Sequence, residues 1–120
     1  MSLYACGGNV ENVNIVNVES EIYSSNEINS AIKTIVKEFD DDWNGCTLKE
    51  IYYAGDKISN DYQDWADRNG LDQVLVLFST FDVDSSGGDG TLNPNSTYNG
   101  WMWILARKTD GQWKHVDHGY

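Results

Sequence analysis

The chain has 120 residues, which is one domain by length, and carries a formal net charge of −11 from 19 acidic and 8 basic side chains. That balance excludes a nucleic-acid binder, because counterion release at phosphates needs clustered Lys and Arg, and it disfavours an anionic membrane surface. Five Trp, seven Tyr and three Phe supply enough buryable area to exclude a disordered chain, and no stretch approaches the ~20 apolar residues of a bilayer span.

Residues 1–20 read as an N-terminal tail or arm, in which Val13–Ser20 is either an edge strand or an extended segment. Leu3-Tyr4-Ala5-Cys6 is reminiscent of the end of a bacterial lipoprotein signal, where a small residue precedes the lipidated Cys. Cys6 therefore has three readings: a lipidation site, a disulfide partner of Cys46, or a free thiol. Residues 21–120 read as a single domain. Ser24 and Glu27 spell a capping box, with Tyr23 and Ile28 at the positions of a hydrophobic staple. Ile28, Ala31, Ile32, Ile35 and Phe39 follow at helical spacing, and Asp40-Asp41-Asp42 stops the helix because like charge at its C-terminus opposes the macrodipole.

Cys46–Gly55 predicts a strand with Leu48, Glu50 and Tyr52 on one face and Lys49, Ile51 and Tyr53 on the other. Ser59–Gly70 predicts one short helix capped by Asn60 and Gln63 and buried through Tyr62, Trp65 and Ala66. Asp72–Val83 is an almost continuous apolar run, as a central strand covered on both faces would be. Trp101–Lys108 is another strand, Asp110-Gly111 a hairpin turn, and Gln112–Tyr120 the returning strand. These elements predict an α+β fold: one long and one short helix packed on a curved, mostly antiparallel sheet of four to five strands.

Three constellations carry candidate chemistry. Asp82, Asp84 and Asp89 lie in a glycine-rich loop that resembles a calcium loop. The EF-hand pattern fails at its closing position, where Asn93 stands for the bidentate Glu, so calcium would need a different geometry. A connection of about sixteen residues is also long for a hairpin, and its Gly, Asn, Ser and Asp residues could order it without metal. His115 and Asp117 share a strand face in strict alternation, which makes them a candidate base and orienting partner; His118 then faces away, so the two histidines make a poor zinc site. Trp101 and Trp103 alternate along their strand and could stack on a ligand or simply fill the core. No nucleophile elbow, phosphate loop or dinucleotide fingerprint is present.

The capped helix, "GCTLKEIYY" and "FDVDSSGGDGTLNPNSTYNGWMWILARKTDGQWKHVDHGY" together resemble a group of uncharacterised secreted or lipoprotein domains of Gram-positive gut bacteria. Those domains are similar to the cystatin-like, or nuclear-transport-factor-2-like, superfamily. The resemblance covers residues 21–120 and implies a helix lying across a strongly curved sheet that closes into a cone. It also implies that Tyr53, Trp103 and His115 face that cone. The superfamily holds acid–base isomerases and dehydratases as well as binding modules without catalysis. The reading ranked first is a non-enzymatic, extracytoplasmic binding module, secreted or lipid-anchored, for a protein, cell-wall or small-molecule ligand. A small acid–base enzyme comes second, and a structural or self-associating domain, such as a two-fold homodimer, third.

Overall fold

A computed structural model describes residues 7–88 and 90–120. Cys6, with the readings attached to it, and Asp89 lie outside the described residues. The elements run β1 (Asn14–Val16), α1 (Ser25–Asp42), β2 (Cys46–Tyr53), α2 (Asp56–Asp61), α3 (Gln63–Arg68), β3 (Gln73–Val83), β4 (Ser96–Arg107) and β5 (Lys114–Gly119). The five strands form one mixed sheet in the order β1-β2-β3-β4-β5. β1 lies parallel to β2, and every other neighbouring pair is antiparallel. No helix among the described residues is long and apolar enough to cross a membrane.

The start of α1 follows its sequence. The Ser24 hydroxyl accepts the Glu27 N–H at 3.1 Å, and the Glu27 carboxylate accepts the Ser24 N–H at 2.8 Å. That reciprocal pair satisfies two donors the first turn would otherwise leave bare. The stripe Ile28, Ala31, Ile32, Ile35 and Phe39 is buried against one face of the sheet. Glu27 has a second task that local sequence does not announce. Its other oxygen pairs with the buried Arg107 of β4, whose guanidinium also donates to Gln73 at 2.7 Å and lies over the Trp113 ring at 4.3 Å. This clasp ties the helix start to the β4–β5 hairpin.

The opposite face of the sheet is covered by α2 and α3, through Ala66 with Ile58, Tyr62 and Trp65. β3 is therefore buried on both sides: Leu75, Leu77 and Phe81 face α1, while Val74 and Val76 face α2 and α3. The expected single short helix is two. α2 begins at Asp56 after Gly55, and the chain breaks at Tyr62 before α3, so Asn60 lies inside a helix instead of capping one. The turn into α2 is held by Asp56, which accepts from Tyr53 at 2.7 Å and from Ser20 at 2.6 Å, pinning the arm that leads into α1.

Three β-bulges shift the register and reset the faces of the sheet. Leu48 and Glu50 of β2 face consecutive residues of β3, so Lys49 is extra. Leu48, Ile51 and Tyr53 consequently share the α1 core, which corrects the expected alternation along β2. Gly100 is extra in β4, with φ +71°, a left-handed conformation that glycine adopts without steric cost. Beyond it Ser96–Asn99 continue to pair with Thr80–Val83. β4 therefore starts earlier than its apolar run, and the β3–β4 connection shortens to residues 84–95. The third bulge, at Val116 of β5, matters for the site.

Candidate functional site

The expected pairing of His115 with Asp117 does not form. Leu105 sits opposite His115, but Ile104 sits opposite Asp117, leaving Val116 as the extra residue. Cross-strand partners share a face. His115 therefore joins Leu105 on the α1 side, and Asp117 joins Ile104 on the α2–α3 side. The slip carries His118 opposite Trp103, onto the same face as His115. His118 Nδ1 and His115 Nε2 are 3.1 Å apart. Both imidazoles rest on the Trp103 ring, at 5.3 and 5.5 Å between centroids.

The chain of contacts extends to α1, where a carboxylate oxygen of Glu38 pairs with Nδ1 of His115. That oxygen lies beside Nδ1 without making a hydrogen bond, and its charge favours the tautomer with the proton on Nδ1 of His115. In the neutral pair the Nε2 lone pair of His115 then accepts the Nδ1–H of His118, and Nε2 of His118 is left as an unprotonated nitrogen. Partial desolvation of the imidazole, which keeps an exposed side, reinforced by His115 beside it, pushes His118 below the ordinary histidine range, against the opposing pull of Asp117 and Glu38.

His118 ends this chain at the wall of a cavity of about 390 Å³. The C-terminus of α1 supplies Asp42, Trp43 and Asn44 to its lining, the β3–β4 loop supplies Leu92, and β4 supplies Trp101. Trp43 is positioned by stacking on Phe39 at 5.5 Å and meets Trp101 edge-on at 5.8 Å and His118 at 5.3 Å. Trp101 is 9% exposed, and its indole N–H is buried without an acceptor. The volume falls within the ~300–1,000 Å³ of small-molecule sites.

The loop that closes one side of the cleft is self-supporting. The Asp84 N–H donates to the Gly45 carbonyl, and the Asp84 carbonyl accepts the Asn95 N–H, both at 2.9 Å. The Asp84 carboxylate accepts the Ser86 N–H at 2.8 Å and the Ser86 hydroxyl, and these bonds lower its pKa. The carboxylate of Asp82 accepts the Thr97 hydroxyl at 2.6 Å. Gly45 is required where the loop crosses it, since a Cβ there would stand 2.5 Å from Ser86 Oγ and 2.7 Å from Asp84 Oδ1 at φ +73°. Among the described residues no group of three or more His, Cys, Asp or Glu is placed to hold a metal ion.

Of the residues singled out in the sequence, Trp101 lines the cleft, while Trp103 lies beneath the histidines, fully buried, with its N–H donated to Ser79 at 2.8 Å. Tyr53 is buried beside Tyr23 and bonded to Asp56, and it does not line the cleft. Glu38, Trp43 and Asn44 were not singled out by sequence reasoning. A polar residue on a helix and two residues in a helix stop give no local signal of a shared site. Compared with known proteins, the chain matches no family model, no curated protein and no solved structure.

Proposed function

We propose that the chain is a non-enzymatic binding module of the extracytoplasmic space, secreted or lipid-anchored, that holds a small ligand in the cleft between Trp43, Trp101 and His118. The observation that carries this reading is the cleft itself: two indoles and an imidazole form its walls, with Asp42 and Asn44 beside them. Pockets that orient a ligand combine apolar walls with a few such convergent polar groups. The long helix crossing a sheet with three bulges also supports a cystatin-like cone, in which this cleft is the open end. The test is a fragment screen read by the indole N–H signals in ¹H–¹⁵N spectra. Ligands should move Trp43 and Trp101 while leaving Trp65 and Trp113 in place, and Trp43→Ala should abolish the response. Signals that stay still across a broad library would remove the reading.

One observation favours a second reading, an acid–base enzyme: the Glu38–His115–His118 chain ends at the cleft. His118 then serves as the base through Nε2, with His115 positioning it and Glu38 holding the tautomer. Asp117 takes no part, because it lies on the other face. Exchange of carbon-bound hydrogen for deuterium in a panel of carbonyl compounds, lost in His118→Gln, would decide for this enzyme. Absence of exchange at any pH between 5 and 9 would decide against it.

A further inference from the structure

We infer that the cleft takes an organic cation, an alkylammonium or amino-bearing molecule whose charge sits against the partly exposed Trp43, with the buried Trp101 behind it. The inference rests on the binding reading above and names the ligand class of that same site. Four features converge on it.

Among the described residues the lining holds no Lys or Arg, whereas Asp42 supplies a carboxylate. The cleft sits at the C-terminal end of α1, where the last turn carries Asp40, Asp41 and Asp42 and no basic residue. A helix C-terminus already presents roughly half a negative charge, and placing carboxylates there opposes folding. Lys37 neutralises Asp41 at 2.9 Å, an exposed pair on the helix surface, and Asp42 is in none of the salt bridges among the described residues. The local potential is thus strongly negative even for a chain of net charge −11.

The second feature is the aromatic wall. Indole faces attract cations through their quadrupole, and paired aromatics beside a carboxylate are how quaternary and alkylated ammonium groups are recognised. The third is the histidine chain. With the proton of His115 on Nδ1, beside the Glu38 carboxylate, His118 donates through Nδ1 and its Nε2 offers a lone pair, which suits an N–H or O–H donor on the ligand. The fourth is the balance of the remaining polar groups. Asn44 can accept through its carbonyl, no Lys or Arg of the described lining competes with a cation, and the unpartnered Trp101 N–H is left to donate to a hydroxyl or carbonyl on the same ligand.

An anion would find the Trp101 N–H and the Asn44 amide to bind but would be opposed by the Asp42 carboxylate and the helix C-terminus, and a neutral polyol would use the walls without the field. The loop carboxylates of Asp82 and Asp84 are engaged with Thr97 and Ser86, and they line a different recess from Asp42. The inference therefore concerns an organic cation and not an inorganic ion at the loop.

The test uses the full chain and matched probes: choline with its neutral isostere 3,3-dimethylbutan-1-ol, glucosamine with glucose, and butylammonium with butyrate. Titrations are followed by the five tryptophan indole signals. The cationic member of each pair should move Trp43 and Trp101 and bind roughly threefold to thirtyfold more tightly than its partner. That preference should shrink as salt is raised. Asp42→Asn should reduce the preference several-fold without altering the weak response to the neutral probe. Neutral or anionic members binding as tightly as the cations would overturn the ligand class and leave the binding reading standing. Silence from all six probes, while a neutral fragment mixture still moves Trp43 and Trp101, would do the same. Silence from both sets would remove the two together.

Discussion

The floor of the candidate site depends on one hydrogen bond in the core. Trp103 supports both imidazoles, and its indole N–H is donated to Ser79 at 2.8 Å between side chains with no exposed surface. Ser79→Ala deletes a single oxygen, so little cavity is created. Its cost is that of a buried N–H left without an acceptor, ~1–3 kcal/mol. The bond from Ser79 to the Trp101 carbonyl is long, at 3.4 Å, and adds little. A loss of about 2 kcal/mol is a large part of the ~5–15 kcal/mol of a typical domain. At this chain length it lowers the thermal midpoint by roughly 6–12 °C. Trp103→Phe removes the donor together with ring volume and should cost ~2–4 kcal/mol. The double variant should then fall short of the sum by about 1 kcal/mol or more, since no orphaned N–H remains. Urea unfolding of the four proteins, followed by fluorescence and circular dichroism, measures the cycle. A Ser79→Ala cost below ~0.5 kcal/mol, or a cycle additive within ~0.3 kcal/mol, would show that this bond does not hold Trp103 in place.

Glu27→Ala should cost ~2–4 kcal/mol in the same assay, because it removes a helix cap and leaves the buried Arg107 without its carboxylate. Glu27→Gln, which keeps an acceptor for Ser24, should cost less. The Glu27 carboxyl is held below the usual range, chiefly by the Ser24 N–H. Its contribution is therefore present above the ordinary carboxylate value and disappears as pH falls through the lowered one, and acid titration of Glu27→Gln should show a shallower loss. His118 is also held low, by burial and then His115, with Asp117 and Glu38 opposing. The unfolded chain then binds the extra proton first, so stability should decline as pH drops below ~6.5, and His118→Gln should flatten that decline. Melts in calcium, magnesium and EDTA should superimpose, since Asp82 and Asp84 already hold protein donors. A calcium-specific rise lost in Asp84→Ala would instead make the loop a cation site.

Much of the architecture was written locally. Ser24 with Glu27 begins α1, the spacing from Ile28 to Phe39 orients it, and the almost continuous apolar run of β3 announces cover on both faces. The bulges were not all legible. Gly100 is the kind of residue that marks one, but Lys49 and Val116 are ordinary strand residues. Nothing in "KHVDH" distinguishes a flat strand from one that slips by a residue. Period-two reasoning therefore paired His115 with Asp117, and a slip at Val116 exchanged Asp117 for His118. The break at Tyr62 was hidden for a related reason: tertiary packing of Tyr62 and Trp65 under the sheet decides it, not a cap.

The aspartates at the end of α1 serve both the helix and the cleft. As a helix terminus, Asp40-Asp41-Asp42 is poorly chosen, since Lys or Arg there would complement the dipole. A sequence shaped by stability alone has no reason to place three carboxylates on that turn. The same turn delivers Trp43 onto Phe39 and against Trp101 and His118, so the unfavourable charge and the aromatic wall share one stretch of chain. Local rules are broken most often where a surface has work to do. Here the break stands at the mouth of a cleft whose described lining lacks Lys and Arg. A charge that opposes the helix and attracts a cation is accounted for by the second role, not the first.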